Sequence, residues 1–227
     1  ATLHRSPDAG SAAWLRFIAP GGLLIERPLL DRIWVALRDD LTQAESERVA
    51  LLINEPWVGD LGRRWGFQPL NHVTTLRLDT LTPGASLIPP PGVTIRLLRD
   101  ADLPAVVRVD NRAFSPIWQY DLPTLQSARE HPGAFFVMEV HGAIVAYMIC
   151  TLHGSSGHLA RLAVMPQLQG RGLGGLMLAE MARYFSQTGV LTVTLNTQSD
   201  NVASLHLYRR RGFHEIGFSV PVWELLL

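Results

Sequence analysis

The sequence has one cysteine, no long apolar run and no excess of charge of either sign. Cys150 cannot form an internal disulfide, which fits a reducing compartment and predicts a cytoplasmic protein. No stretch approaches the ~20 apolar residues that span a bilayer, and the first residues lack the plan of a signal peptide, so we expect no membrane partner. Basic and acidic residues number 20 each, which leaves no electrostatic footprint for nucleic acid.

Three sequence motifs of catalysis and cofactor binding are also missing. The chain has no G-x-G-x-x-G dinucleotide fingerprint, no Gly-Lys-Ser/Thr phosphate loop and no H-E-x-x-H, so we expect no metal centre. What remains is a globular composition, with 47% hydrophobic and 18% charged residues. At 227 residues the chain exceeds one typical domain but is short for two full ones.

A glycine-rich turn between a strand-like and a helix-like run is the most informative feature. The turn spans Gln169 to Gly174, after the strand-like run His158–Val164 and before the helix-like run Leu176–Phe185. Such a turn points several backbone N–H groups outward, and the helix dipole adds positive potential, so the turn suits a phosphate. Taken alone, a turn of this kind is more typical of an ordinary connector.

Residues further along the chain make the pattern specific. A strand-like run, Leu191–Thr197, is followed by a helix-like run that contains Asn201, Leu207 and Tyr208 and ends in Gly212-Phe213. Together with Leu-Ala-Val-x-Pro at residues 162–166 and Gln-x-x-Gly-x-Gly at 169–174, this arrangement resembles the GNAT superfamily of acyl-CoA-dependent N-acetyltransferases. The resemblance covers roughly residues 92–227.

The resemblance implies an α/β (α+β) fold, with a mixed, mostly antiparallel twisted sheet flanked by helices. We expect the complete GNAT domain at residues 93–227. Residues 83–92 are rich in proline and glycine, including three successive prolines that cannot continue a helix, and they predict a linker.

A faint internal repeat links the two sides of this linker. Leu61–Phe67 and Leu207–Phe213 share five of seven residues at an offset of 146, and Pro20 to Gly66 spans the same 46 positions as Pro166 to Gly212. Coincidence between two short patches is the alternative, but the matched spacing favours a repeat. We therefore predict a degenerate GNAT-like half-domain at residues 1–82. It lacks the chemistry, because Glu26 lies in its phosphate-loop region and Gly62 replaces Tyr208.

The resemblance also implies which residues hold acetyl-CoA, the expected co-substrate. The strand end supplies backbone groups to the pantetheine arm, and the amides of the glycine turn hold the pyrophosphate, with Arg171 adding a charge or remaining simply solvated. Asn201 is first a helix cap and second a cofactor contact. The candidate cofactor-binding residues are Leu162, Ala163, Val164, Gln169, Gly170, Arg171, Gly172, Leu173, Gly174 and Asn201.

Acetyl transfer to an amine needs a proton donor for the leaving thiolate and a neutral nucleophile. Tyr208 matches the family tyrosine near the sulfur and is the candidate general acid, with ring packing as the alternative. Asn196 is a candidate for positioning water or substrate. His158 and Glu139 are candidate bases, although a water chain would also suffice. Strand alternation predicts that the even-numbered residues of 158–163 share one face and the odd-numbered residues the other.

Aromatic residues after the first helix of the second domain are candidates for acceptor binding. Phe114, Trp118 and Tyr120 could line an apolar pocket, or pack in the core instead. This region resembles the enzymes that acetylate the N-terminal alanine of a ribosomal protein, but those carry a glutamate where this chain has Asn196. We therefore expect an N-acetyltransferase for a small-molecule or protein primary amine. The alternative is a module that binds or senses acyl-CoA without turnover.

Overall fold

The computed structural model describes residues 2–5, 12–16, 27–81 and 89–227. Within these residues lie ten strands and six α-helices. The described residues do not include residues 17–26, which contain the phosphate-loop region of the predicted first copy. They also omit part of the predicted linker. No described helix is both long and apolar enough to cross a membrane.

The chain divides into two compact units that do not follow the predicted linker. The first unit comprises Ala1–His72, Pro116–Trp118 and Val220–Leu227, and the second comprises Val73–Ser115 and Gln119–Ser219. The predicted domain boundaries at residues 82 and 93 differ from these units, because each predicted domain contributes one strand segment to the other unit. Val73–Leu78 pairs with a strand of the second unit, while Val222–Leu226 pairs with a strand of the first.

The first unit is built around a short sheet with two helices. Its elements are β1 (Thr2–Arg5), β2 (Ala12–Arg16), α1 (Arg27–Gln43), β3 (Arg48–Leu52) and α2 (Pro56–Arg64), with the start of β4 (Gln68–Leu78) and the end of β10 (His214–Leu226). β1 and β2 form an antiparallel hairpin, β2 runs parallel to β3, and β10 pairs antiparallel with β3. Trp34 stacks on Trp65 and contacts Phe67 within the main core of this unit.

The second unit contains a larger sheet, with the strand order β4-β9-β8-β7-β6-β5. Its elements are β5 (Val93–Leu97), α3 (Leu103–Ala113), α4 (Leu122–Ala128), β6 (Gly133–Val140), β7 (Ala143–His153), β8 (Ser156–Val164), α5 (Leu173–Gln187), β9 (Thr192–Gln198) and α6 (Val202–Arg210). Every recorded neighbour pair in this sheet is antiparallel except β8 with β9. This is the predicted fold class, and it is confirmed.

Two apolar clusters cover the two faces of this sheet. One face packs on α5 and α6 through residues such as Met177, Met181 and Leu205, while the other packs on α3 and α4 through Val106 and Leu125. The β6–β7 turn is His141-Gly142, as predicted, and both residues have positive φ, the requirement of a type I′ turn.

A β-bulge in β8 corrects the predicted alternation of its side chains. Ile149 pairs with Arg161, but the next residue, Cys150, pairs with Leu159, so Ala160 is the extra residue. A bulge places two successive residues opposite one and resets the alternation. Leu159 therefore faces α5, whereas Arg161 and Ala163 face α3. The prediction that the odd-numbered residues of 158–163 share a face is wrong.

Corresponding elements of the two units begin at a constant separation along the chain. Helices α1 and α5 begin at residues 27 and 173, and α2 and α6 span residues 56–64 and 202–210. Strands β4 and β10 begin at 68 and 214, which again differ by 146 positions. One shared offset is what a repeat would produce, and the half-repeat itself stays a prediction.

Candidate active site

The glycine turn joins the end of β8 to the start of α5 and is open on its outer side. Gly170 and Gly172 have φ of 74° and 82°, a left-handed conformation that favours glycine. A Cβ atom at either position would meet no protein atom within 4 Å. Gly172 is the N-cap of α5, and as a glycine it has no side chain to accept from the first-turn amides. These amides and the open space beside them can receive an anion.

The other residues of the turn differ in what they contribute. Gln169 donates from Nε2 to the Val164 carbonyl at 3.0 Å and so ties the turn to the strand end. Arg171 is exposed. The Leu173 side chain is buried in the core, so only its backbone faces the turn. A Cβ at Gly174 would lie 2.9 Å from Cδ2 of Leu207, so a side chain there would have to displace the end of that leucine.

Strands β8 and β9 separate beside this turn. Within these two fully described strands, pairing is recorded from Ser156↔Thr192 to Leu159↔Leu195 and no further. The end of β8, where Leu162, Ala163 and Val164 were predicted to bind cofactor, therefore keeps one edge that β9 does not cover. An uncovered strand edge can add an extended ligand through backbone hydrogen bonds.

Tyr208 lies on α6 with its side chain buried and only 6% of its surface exposed. Its ring packs edge-on against Phe213 at a centroid distance of 5.9 Å. Burial raises the pKa of Tyr208 to about 12, although a hydrogen bond from Ser204 opposes the rise. The phenol is therefore protonated across the physiological range and can act as a donor.

Asn201 is the N-cap of α6, and its side-chain oxygen accepts from the Ser204 amide at 3.1 Å. The first of its two predicted roles, helix capping, is confirmed. The second role, a contact to cofactor, stays a prediction.

Polar side chains of neighbouring strands meet on the sheet face opposite α5. Nδ1 of His158 lies 2.9 Å from Oγ1 of Thr194, and Thr75 donates from Oγ1 to Oδ1 of Asn196 at 2.9 Å. Burial, and secondly the charge of His153, lower the pKa of His158 below its usual value. His158 is therefore neutral at neutral pH, as a base must be.

Glu139, the second candidate base, is engaged elsewhere. Its Oε1 accepts from Nε of Arg96 at 3.0 Å, and Arg96 also binds Asp102. The hydrogen bonds to Arg96 occupy this carboxylate and leave it less available to a substrate. His158 is therefore the better-placed of the two. In the part of the chain that the structure describes, no group of His, Cys, Asp and Glu is arranged to hold a metal.

Phe114 and Tyr120, predicted to bind the acceptor, enclose a buried arginine that the sequence reasoning missed. The Cζ atom of Arg161 lies 3.7 Å from the centre of the Phe114 ring and 3.8 Å from that of Tyr120. Burial alone would lower the pKa of Arg161, but Tyr147 and Asp110 outweigh it and the pKa is raised. The sequence did contain a signal for a buried charge. Asp110 follows Leu103 and Val106 at the spacing of the apolar stripe of a helix, which indicates a buried carboxylate that needs a cationic partner.

Trp118 lies in a single 3-10 turn, Pro116–Trp118, that belongs to the first unit. Its ring packs against Trp14 at a centroid distance of 5.0 Å, and Trp14 donates from Nε1 to the carbonyl of Ile117. The structure therefore brings Phe114 and Tyr120 together at Arg161, while Trp118 packs against Trp14 within the first unit. The proposed binding role of all three stays a prediction.

Solved structures share this architecture. A GCN5-related N-acetyltransferase from Sphaerobacter thermophilus superposes with a TM-score of 0.67 at 20% identity, over 95% of this chain and 72% of that one. A tandem GNAT protein from the clavulanic acid biosynthesis pathway superposes with a TM-score of 0.65 at 15% identity, over 99% of this chain and 78% of that one. At these identities the likeness shows the fold alone.

Sequence relatives are named acetyltransferases. The chain is 28% identical to a mycothiol acetyltransferase of Saccharopolyspora erythraea, over 85% of this chain and 67% of that protein. It spans 54% of the length of the corresponding protein of Arthrobacter. It is 30% identical to the [ribosomal protein bS18]-alanine N-acetyltransferase of Escherichia coli K12, over 54% of this chain and 81% of that protein.

The glycine turn, the separated strands and these relatives agree with the match to a family model. The model of the acetyltransferase (GNAT) family matches residues 103–213. The chain belongs to the GNAT family of acetyltransferases.

Proposed function

We propose that this chain moves an acetyl group from acetyl-CoA to a primary amine by direct attack, with Tyr208 as the proton donor. The observation that carries the proposal is the gap between β8 and β9 beside the uncapped start of α5. The gap suits an extended pantetheine arm, and the helix start suits a pyrophosphate. Both features belong to the second unit.

The pyrophosphate would lie against the amides that follow Gly170 and Gly172. Two glycines with left-handed φ and no atom within 4 Å of a Cβ allow close approach of a ligand to the backbone. The exposed Arg171 can add a charge-assisted contact. We expect micromolar affinity for acetyl-CoA, a free energy of about −8 kcal/mol.

In the chemical step the amine nitrogen attacks the thioester carbonyl carbon, the carbon–sulfur bond breaks, and the thiolate leaves. A phenol of pKa about 12 can donate a hydrogen bond to the developing thiolate throughout the physiological range. A free thiol has a pKa of about 8.5, so complete proton transfer from Tyr208 is uphill. The hydrogen bond donated in the transition state is therefore the main contribution of Tyr208.

The amine must lose a proton, and His158 is the proposed acceptor of that proton. Its lowered pKa keeps it neutral at pH 7, and it shares a face with Asn196, which would orient water or substrate. Proton transfer through water would extend its reach. Asn196 already accepts from Thr75, which fixes the orientation of its amide.

The acceptor is proposed to be a small-molecule amine or a protein N-terminus. Relatives of this chain are named for mycothiol and for the alanine of ribosomal protein bS18, so both classes have a precedent. A panel of alkyl amines, amino sugars, amino-acid amides and a hexapeptide that begins with alanine would test them. Release of CoA is followed with a thiol reagent, and calorimetry measures acetyl-CoA binding. Binding without turnover across the panel would favour a sensing module, and absence of binding would contradict the proposal.

The first unit is proposed to be a degenerate copy with a structural role. Its helices and β4 begin at the repeat offset from those of the second unit, and Gly62 stands where the second unit has Tyr208. Residues 1–82 would then be the half-domain, 83–92 the linker and 93–227 the complete domain. A structure with acetyl-CoA bound in the first unit would contradict this assignment.

A further inference from the structure

A buried charge cluster lies between β7, β8 and α3 in the second unit. The carboxylate of Asp110 is 0% exposed, and the Arg161 side chain is 8% exposed. Nη2 and Nε of Arg161 donate to Oδ2 of Asp110 at 2.6 and 2.9 Å, and the hydroxyl of Tyr147 donates to the same oxygen. One carboxylate oxygen therefore collects three hydrogen bonds in the core.

The same cluster holds both ends of the segment Phe114–Tyr120. The ring centres of Phe114 and Tyr120 lie 3.7 and 3.8 Å from the Cζ atom of Arg161. Oδ1 of Asp110 accepts from the Tyr120 amide at 2.6 Å. The ends are also joined to each other, because Nε2 of Gln119 donates to the carbonyl of Phe114 at 3.0 Å.

The cluster is an unusual way to fill a core. Burying an ion pair costs desolvation, and apolar residues of similar volume often stabilise a fold as well or better. The pair is therefore poorly explained by stability alone. The ion pair adds a defined geometry. The planar guanidinium of Arg161 orients the Asp110 carboxylate and contacts two aromatic rings, and the carboxylate in turn accepts from one backbone amide.

The bulge in β8 connects this arrangement to the cofactor strand. Ala160 is the extra residue, so Arg161 faces α3, and the strand continues directly into the edge at residues 162–164 that β9 leaves uncovered. One strand thus carries both the anchor of the aromatic segment and the backbone proposed to hold pantetheine.

We propose that Arg161 and Asp110 are positioning residues that hold Phe114 and Tyr120, the two ends of this segment in the second unit, in place for the acceptor amine. The inference rests on the proposed function, since it assigns the acceptor side of that site. It predicts that loosening the cluster weakens acceptor binding and leaves acetyl-CoA binding intact, because the hydrogen bonds and ring contacts described above join the cluster to α3, β7 and the aromatic segment.

Arg161→Lys tests the proposal while keeping the buried charge. Lysine lacks the planar fork, so it cannot keep both hydrogen bonds and both ring contacts. Loss of about one hydrogen bond predicts an acceptor KM raised about tenfold, with kcat and the acetyl-CoA Kd changed less than about twofold. Hydrogen exchange of the Tyr120 amide should accelerate by a similar factor.

A second variant and a matched control complete the test. Phe114→Leu removes one ring and leaves the ion pair intact, so it should give a smaller rise in acceptor KM even if Arg161→Lys folds poorly. Arg108→Lys makes the same substitution at an exposed site on α3 and should change nothing. KM is measured with the alanine hexapeptide, or with the best acceptor of the amine panel.

The outcomes separate this inference from the proposed function. Unchanged exchange at Tyr120 and unchanged acceptor KM in both cluster variants would overturn the positioning role. An equal loss of acetyl-CoA affinity would overturn it too, since the effect would then be a general disturbance of the fold. Failure of the wild-type protein to bind or use acetyl-CoA would instead contradict the proposed function, and the exchange measurement would still decide whether the anchor exists.

Discussion

The parallel strand pairs of the two units start in the same register and then diverge. In the first unit β2 and β3 pair from Ala12↔Arg48 to Leu15↔Leu51, and in the second β8 and β9 pair from Ser156↔Thr192 to Leu159↔Leu195. Both pairs join residues 36 positions apart. At the repeat offset, Ala13 corresponds to Leu159, so the first unit continues for two pairs beyond the point where the second separates. Over these described residues the first unit has no equivalent gap for an extended ligand.

The position of the proposed proton donor differs in the same sense. Tyr208 on α6 corresponds to Gly62 on α2. A Cβ at Gly62 would lie 3.2 Å from the Trp223 ring and 3.3 Å from Leu51, so neighbouring side chains already fill that space. One framework therefore supports two outcomes: strands that stay paired in one unit, and strands that separate, as we propose for a ligand, in the other.

The largest expected effect comes from blocking the glycine turn. Gly172→Val places a β-branched residue at φ 82° and fills the space beside the turn, so acetyl-CoA affinity should fall by about a hundredfold or more. Calorimetry measures the change. Gly189→Val is the matched control. Gly189 follows the other end of α5, has a similar φ of 74°, and a Cβ added there would also meet no atom within 4 Å. Equal affinity in the two variants would remove the basis for the site.

Removing the proton donor should be nearly as severe, but for turnover only. Tyr208→Phe keeps the ring against Phe213 and deletes the hydroxyl, so kcat should fall about a hundredfold while the acetyl-CoA Kd stays within about twofold. Tyr184→Phe, on α5, is the control. Wild-type turnover in Tyr208→Phe would show that this tyrosine only packs. The second unit, like the first, would then have no proton donor at this position.

A smaller effect is expected from the histidine on the polar face. The pKa of His158 is lowered below its usual value of about 6.5, so its neutral, basic form predominates above that pH, and kcat should decline as the pH falls below it. His158→Gln should lower kcat about tenfold and abolish the acid decline. His206→Gln, exposed on α6, should leave the pH profile unchanged. An acid decline that persists in His158→Gln would assign the proton transfer to another group.

The smallest effect on catalysis is expected in the first unit. Gly62→Ala crowds Trp223 and Leu51 and should lower the free energy of unfolding by about 1–3 kcal/mol, as overpacking does. Acetyl-CoA affinity and kcat should not change. Denaturant unfolding and calorimetry on the same variant separate the two effects. A loss of acetyl-CoA affinity here would show that the first unit is more than structural.

Local patterns in the sequence predicted the elements well. The apolar runs, the His141-Gly142 turn and the glycine turn before α5 all depend on interactions between near neighbours, which periodicity and turn chemistry report. The capping role of Asn201 was likewise predicted, since a cap is a contact over three residues. The motifs at residues 162–174 and 201–213 were enough to place the chain in its family.

Tertiary structure decided what those patterns could not report. The bulge at Ala160 depends on the pairing of β8 with β7. The bulge turns the side chain of Arg161 toward α3, where its guanidinium contacts the rings of Phe114 and Tyr120. Strand β4 pairs with β9, and strand β10 pairs with β3, each across more than 100 residues of sequence. The boundary of the units therefore does not coincide with the linker. Sequence by itself therefore determined the elements and the glycine turn that we propose binds a phosphate. Long-range pairing decided which side chains meet, because those contacts form only after the sheet has assembled.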